Sequence, residues 1–136
     1  EKGVETHRLS IFVFLLIHKE TNLPIGECGF HTWNALHKRA ELFYNMFNEN
    51  FKHIGLMNEA VEKILEYGFN ELNLHRIQAL IDENNTPSLK ILTRYNFVKE
   101  GIMREDYCVN GKNEDSVCYS LLKWEWEKNK FKLNEN

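Results

Sequence analysis

The sequence predicts a mixed α/β fold in which a mostly antiparallel central sheet is flanked by helices. Two hairpin signals and a helical middle section predict this class. Dense apolar segments flank a short turn near the start, and Asn110-Gly111, a favoured hairpin turn, lies near the end. Helices placed between strands cover a sheet, and hairpins make its two ends antiparallel.

The first half of the chain contains three predicted strands. Leu9–His18, Ile25–Thr32 and Ala40–Phe47 are short runs rich in β-branched and aromatic residues. Residues 19–24 form the turn of the first pair, and residues 33–38 form a polar connection. The two glycines of the second strand, Gly26 and Gly29, predict a bulge or close packing.

Helices and strands alternate in the second half. Apolar positions recur at helical spacing over Leu56–Leu72, which predicts the longest helix. The segments predicted after it are a strand at His75–Ile81, a loop at Asp82–Pro87, a short helix at Ser88–Tyr95 and a hairpin of 97–109 with 114–122. We expect a charged, frayed tail from Trp124 onward.

Composition limits the classes of function. The 136 residues, 43% hydrophobic and 27% charged, suit a single domain spanning 1–136 without repeats. A net charge of −3 without a basic cluster argues against nucleic acid. Cys28, Cys108 and Cys118 lack metal-ligand and disulfide spacing, so we expect reduced, mostly buried thiols in a cytoplasmic protein. The apolar run 9–17 is too short to span a membrane.

The segment from Asn48 to Ala60 carries the first functional signal. A predicted strand leads into a polar loop, and Gly55 then precedes a helix. The unpaired N–H groups and positive dipole end of a helix start bind anions, which suits a phosphorylated cofactor. The alternative is that Gly55 is only a turn residue.

Several motifs together resemble the GNAT superfamily of acetyl-CoA-dependent N-acetyltransferases, and most closely its branch that acetylates ribosomal-protein N-termini. They are I-G-E-C-G-F-H (25–31), R-A-E-L-F-Y-N-M (39–46), K-H-I-G-L-M-N-E-A-V (52–61), N-L-H-R-I-Q-A-L-I-D-E-N-N-T-P-S (73–88), N-F-V-K-E-G (96–101) and V-C-Y-S-L-L (117–122). Their order and spacing cover nearly all of the chain. Because relatives carry an opening strand and one or two helices before this point, we expect the chain to be N-terminally short.

The resemblance implies a set of acetyl-CoA contacts. It implies that the pyrophosphate loop contains Lys52, Gly55 and Met57, of which Lys52 and Met57 depart from the usual residues. The implied contacts are Tyr44, Asn45, Met46, Phe47, Lys52, His53, Ile54, Gly55, Leu56, Met57, Asn58, Asn85, Ser88 and Lys90. For Lys90 a solvated position is the alternative.

Glu41 is the first candidate catalytic residue. On a strand it shares a face with Phe43 and Asn45. Acetyl transfer needs a neutral amine, so the site needs a base, and Glu41 matches a position where several family members carry one. The alternative is a solvated carboxylate or one paired with Arg39.

The second half supplies the other candidates. In the family pattern, Asn85 contacts the cofactor and Ser88 protonates the departing thiolate; Asn85 is also well placed to cap the helix at Ser88. Many relatives use a tyrosine as the acid where this chain has Leu92. This difference favours Ser88 as the acid in this chain. Tyr107 occupies a position where relatives carry a glutamate base or a tyrosine, with packing or substrate contact as the alternative role.

The implied mechanism is direct attack of an amine on the thioester, without an acetyl-enzyme and without a metal. A backbone N–H of residues 44–47 would meet the oxyanion. Glu27, His31, Trp33 and His37 are further candidates for the acceptor cleft. The acceptor is either a protein N-terminal α-amine or a small amine such as a polyamine or an antibiotic. A CoA-binding module without catalysis is the alternative function. A homodimer is a possible assembly.

Overall fold

The computed structural model describes residues 11–47 and 55–135, with side chains through residue 130. Two compact units divide the chain after His75. The predicted mixed α/β class with mostly antiparallel strands is confirmed, since every strand pairing described below is antiparallel.

The first unit combines three strands with one helix. Its elements are β1 (Ile11–Ile17), β2 (Pro24–Asn34), β3 (Arg39–Met46) and α1 (Leu56–Asn70). The strands lie in the order β1-β2-β3, and the predicted first hairpin is confirmed. The residues of α1 that are buried recur three and four positions apart and are Val61, Ile64, Leu65, Gly68 and Phe69.

The second unit contains three strands and two helices. Its elements are β4 (Arg76–Ile81), α2 (Thr86–Arg94), β5 (Val98–Val109), β6 (Lys112–Leu122) and α3 (Lys123–Glu135). The strands lie in the order β4-β6-β5. Asn110 and Gly111 both have positive φ, 51° and 80°, as a two-residue hairpin turn of type I′ requires.

The prediction of a frayed tail after Trp124 is wrong, because helix α3 occupies this segment. Two local contacts favour the helix. The Glu125 carboxylate accepts a hydrogen bond from the Leu122 N–H at 2.9 Å, which caps the helix start, and the Lys130 ammonium lies 4.9 Å from the Trp126 ring centroid one turn away. Among the described residues, no helix is both long and apolar enough to cross a membrane.

The glycines of β2 serve close packing, as predicted. A Cβ atom at Gly29 would lie 1.9 Å from the Phe12 carbonyl oxygen, and one at Gly26 would lie 2.5 Å from the Asn45 carbonyl oxygen. A register shift opposite Leu16 and Ile17 adds a bulge at the start of β2. Neighbouring strands therefore approach β2 where no side chain intervenes.

Candidate active site

The sheet of the first unit has two chemically different faces. One face packs on α1: the Phe12 and Phe14 rings contact Tyr67, and Phe30 lies against Gly68. The opposite face, called here the outer face, follows from strand alternation. Its members are Ile11, Val13, Leu15 and Ile17 on β1, Glu27, Gly29 and His31 on β2, and Glu41, Phe43 and Asn45 on β3.

Glu41 lies on the outer face beside His31, its register partner on β2. The His31 Nε2 is 3.4 Å from the Glu41 Oε2, and the Glu41 side chain is only 16% exposed. The structure thus brings Glu41 next to a histidine, a neighbour that the sequence did not suggest. A largely buried carboxylate facing a histidine has the chemistry of a proton acceptor.

The start of α1 has the backbone geometry of an anion site. Gly55 caps the helix in the left-handed conformation, with φ 82° and ψ 0°, and supplies no side-chain cap. A Cβ atom there would meet no atom of the described residues within 4 Å. Because the first N–H groups of a helix have no partner inside it, Leu56, Met57 and Asn58 fit the predicted phosphate contacts.

The remaining predicted contacts of the first unit lie on β3 or beyond it. Tyr44, Asn45 and Met46 pair with β2, and the Phe47 N–H donates to the Ile25 carbonyl at 2.8 Å. The Phe47 N–H is therefore engaged within the sheet. Lys52, His53 and Ile54 lie outside the described residues.

The start of α2 holds the serine candidate. The Asn85 side chain accepts a hydrogen bond from the Ser88 N–H at 3.2 Å, so the predicted cap is confirmed. Ser88 is buried, with 8% of its surface exposed, and Leu92 one turn later is fully buried. Lys90 is exposed. The position of Leu92 is therefore filled by a core side chain, and the Ser88 hydroxyl is the polar group on this part of α2.

Tyr107 is held by a loop residue. Its hydroxyl donates a hydrogen bond of 2.7 Å to the Asp82 carboxylate, which also accepts one from the Asn84 N–H. The bond to Asp82 is the main reason that the pKa of Tyr107 rises to about 12. The Asn84 N–H first, and then the Tyr107 hydroxyl, lower the pKa of Asp82. Tyr107 therefore stays protonated near neutral pH and offers no free tyrosinate as a base there, and its catalytic role stays a prediction.

Sequence reasoning missed the partners of these residues. Regular pairing counted back from Asn34 and Arg39 would place Thr32 opposite Glu41, so the His31–Glu41 contact depends on a register shift that the sequence does not mark. The Asp82–Tyr107 bond joins residues 25 positions apart. It follows a register shift between Met103 and Tyr107 on β5, which no residue pattern in the sequence marks.

Comparison with known proteins identifies the family. The acetyltransferase (GNAT) domain family matches residues 3–98. The chain is 42% identical to the uncharacterized N-acetyltransferase p20 of Bacillus licheniformis over 113 residues, which is 83% of this chain and 63% of that protein. The chain therefore belongs to the GNAT acetyltransferase family.

Other relatives differ in the acceptor that their names state. The putative ribosomal N-acetyltransferase YdaF of Bacillus subtilis is 35% identical over 75% of this chain and 55% of its own length. The spermidine N(1)-acetyltransferase of Escherichia coli K12 is 27% identical over 62% of this chain and 45% of its own length. The chain spans about two thirds or less of the length of these relatives.

A solved structure supports the same fold. The ribosomal-protein-S5-alanine acetyltransferase from Vibrio fischeri superposes with a TM-score of 0.80 at 27% identity, covering 91% of this chain and 67% of that one.

Proposed function

We propose that this chain carries the acetyl-CoA-dependent N-acetyltransferase activity of its family, with a primary amine as the acceptor. The observation that carries the proposal is the start of α1, where Gly55 adopts positive φ and, within the described residues, no side chain caps the helix. That backbone suits a pyrophosphate, and it occurs where the family pattern requires one.

The proposed chemistry assigns a base and an acid. Glu41 takes a proton from the bound ammonium group, and the neutral amine then attacks the thioester carbon. The Ser88 hydroxyl protonates the departing CoA thiolate. The ammonium nitrogen loses two protons overall. One of them restores the hydroxyl of Ser88 after Ser88 has protonated the thiolate, and the other is released to solvent.

Oxyanion stabilisation would come from the β3 backbone. Successive N–H groups of a strand point to opposite edges, and the Phe47 N–H points toward β2. This favours the Met46 or Tyr44 N–H over that of Phe47 for the role. Removing such a donor costs about 10²–10³-fold in rate where it has been measured.

The acceptor that we favour is a protein N-terminal α-amine. Two relatives support a ribosomal acceptor, since YdaF is named a putative ribosomal N-acetyltransferase and the Vibrio fischeri enzyme a ribosomal-protein-S5-alanine acetyltransferase. A polyamine is the second candidate, because the outer face places the carboxylates of Glu27 and Glu41 on adjacent strands and the spermidine acetyltransferase is a relative. Carboxylates attract a polycation.

Two measurements test the proposal. Calorimetry should show acetyl-CoA binding, and no binding at millimolar concentration would contradict it. Turnover is then measured with a peptide beginning in alanine, with spermidine and with an aminoglycoside. An α-ammonium group loses its proton near pH ~8 and an alkylammonium group near pH ~10, so the rate with the peptide should level off at lower pH. Binding without turnover on any amine would indicate a non-catalytic module.

Variants assign the roles. Glu41→Gln should lower kcat/KM by about 10²–10⁴-fold, the usual contribution of a general base. Ser88→Ala should lower kcat, while Ser116→Ala, at an equally buried serine, serves as its matched control. Full activity in both Glu41→Gln and Ser88→Ala would remove these roles but leave the binding result intact.

A further inference from the structure

His31, Thr32 and Glu41 form a polar chain on the outer face. The Thr32 Oγ1 lies 2.8 Å from the His31 Nδ1, and the His31 Nε2 lies 3.4 Å from the Glu41 Oε2. The His31 ring also packs on Phe43, with centroids 5.6 Å apart and planes tilted by 33°. Both ring nitrogens thus face oxygen atoms, and the ring orientation is fixed by an aromatic neighbour.

A bulge in β2 makes this chain possible. His31 pairs with Glu41 and Asn34 pairs with Arg39, so Thr32 and Trp33 together stand opposite Ala40 alone. Adjacent residues of a regular strand point to opposite faces, which would separate the Thr32 hydroxyl from the His31 ring. The bulge brings them together, and bulges commonly redirect side chains next to active sites.

Thr32 adopts a backbone conformation that its side chain disfavours. Its φ is 53°, in the left-handed region, where a β-branched residue is an outlier. Strain of this kind persists only where the surroundings enforce it, and it clusters at functional sites. The chain therefore keeps a strained threonine at the position where its hydroxyl meets His31.

We propose that His31 carries away the proton that Glu41 takes from the amine. This inference rests on the proposed function. The proton leaves the ammonium nitrogen for the Glu41 carboxylate and then passes to the His31 Nε2, while the Nδ1–H donates to the Thr32 Oγ1. The imidazolium releases one proton to water, which restores the neutral ring and the carboxylate.

Exposure fits this sequence of steps. The His31 side chain is 38% exposed, against 16% for Glu41, so the proton moves from the more buried group to the more accessible one. A charge-assisted hydrogen bond is typically about 2.7–2.9 Å long. The His31 Nε2 and the Glu41 Oε2 are 3.4 Å apart, so the two groups must approach more closely for the proton to pass. The Thr32 hydroxyl donates or accepts, so it suits the ring both before and after the transfer.

In the part of the chain that the structure describes, two strands bring charged groups to the side of His31. On the outer face, β2 contributes Glu27 and β3 contributes Arg39 and Glu41, while β1 places the apolar Ile11 beside His31. A ring whose Nε2 carries no proton can accept the proton that Glu41 has taken.

The test is chemical rescue. With saturating acetyl-CoA and either the alanine peptide or spermidine, His31→Ala should lower kcat/KM by about ten- to a hundredfold, less than the loss of a general base. Added imidazole should restore part of the rate in His31→Ala. His31→Gln should keep the fold and lose as much rate as His31→Ala, because an amide side chain cannot take up the proton. His75→Ala, at an exposed histidine elsewhere in the first unit, should match the wild type without imidazole dependence.

Three outcomes separate the claims. If the wild type is active, two results overturn this inference alone. One is a His31→Ala variant with full activity, and the other is a folded His31→Ala variant that imidazole does not rescue. A fully active Glu41→Gln variant overturns the base assignment and the inference together. The absence of turnover in the wild type overturns the proposed function as well. Thr32→Val should reproduce part of the His31→Ala loss, and Thr32→Ser should not.

Discussion

At the scale of single residues, the Tyr107–Asp82 hydrogen bond joins the β5 strand to the loop that precedes α2. Asp82 binds the Asn84 N–H with its other oxygen, and Asn85 then caps α2 at Ser88. The Tyr107 hydroxyl therefore helps to order the segment that places Ser88. This arrangement suits a positioning role better than proton abstraction.

Tyr107→Phe should lower thermal stability over a defined pH range. The hydrogen bond to Asp82 raises the pKa of Tyr107 to about 12. Its contribution to folding stability is therefore complete below pH 10, the ordinary tyrosine pKa, and is lost as the pH rises toward 12. The pKa of Asp82 is lowered, so the stabilisation by its carboxylate is lost as the pH falls below the ordinary pKa of an aspartate. The difference in melting temperature between wild type and Tyr107→Phe should thus be constant from about pH 5 to 9.

Tyr119→Phe is the control for this measurement, since no hydrogen bond of the Tyr119 hydroxyl is found within the described part of the chain. A stability difference that persists unchanged at pH 12 would contradict the assigned bond.

At the scale of elements, the packing of α1 on β2 depends on one missing side chain. A Cβ atom at Gly68 would lie 2.6 Å from the Phe30 Cζ and 2.9 Å from its Cε2. Phe30 is fully buried, so its ring has little room to move. Glycine in a helix costs about 1 kcal/mol relative to alanine, and here that cost permits close contact between the helix and the sheet.

Gly68→Ala should therefore destabilise the protein despite its better helix propensity. Overpacking typically costs about 1–3 kcal/mol, which the propensity gain of about 1 kcal/mol offsets only in part. Urea unfolding measures the change. In a double-mutant cycle, Phe30→Leu should reduce the cost of Gly68→Ala, and Glu62→Ala on the exposed side of α1 should change little. A Gly68→Ala variant more stable than the wild type would refute this explanation.

The elements also show what the sequence can predict. Apolar periodicity identified α1, and the positive-φ preference of Asn110-Gly111 identified the β5–β6 hairpin, because both signals are local. Helix α3 was missed because its sequence lacks an apolar stripe, while its start depends on Glu125 reaching back to Leu122. Among the site residues, the Asn85 cap was predictable, but the Thr32 bulge depends on how two strands align.

At the scale of the whole chain, three cysteines occupy three environments. Cys28 is buried, Cys118 is half-buried and Cys108 is exposed. Burial raises the pKa of Cys28 to about 12. Because the thiolate is the reactive form, exposure and pKa together determine the order of reaction.

A disulfide reagent such as DTNB at pH 8 should modify Cys108 first and Cys28 only when the first unit opens. The Cys28 rate should increase with sub-denaturing urea, whereas the Cys108 rate should not. Cys108→Ser should remove the fast phase. A fast phase that remains in this variant would contradict the assignment.

The bulge at Thr32 and Trp33 also has a consequence for comparing related chains. Deleting one residue there would restore regular pairing between β2 and β3 and leave both strands intact. The deletion would also have one of two effects on the side chains. Either the Thr32 hydroxyl would turn away from the His31 ring, or the Trp33 ring would lose its edge-on contact with Phe12. The number of residues between the His31 and Glu41 positions is therefore a length marker: homologues that retain the spacing can build the polar chain, and homologues one residue shorter cannot.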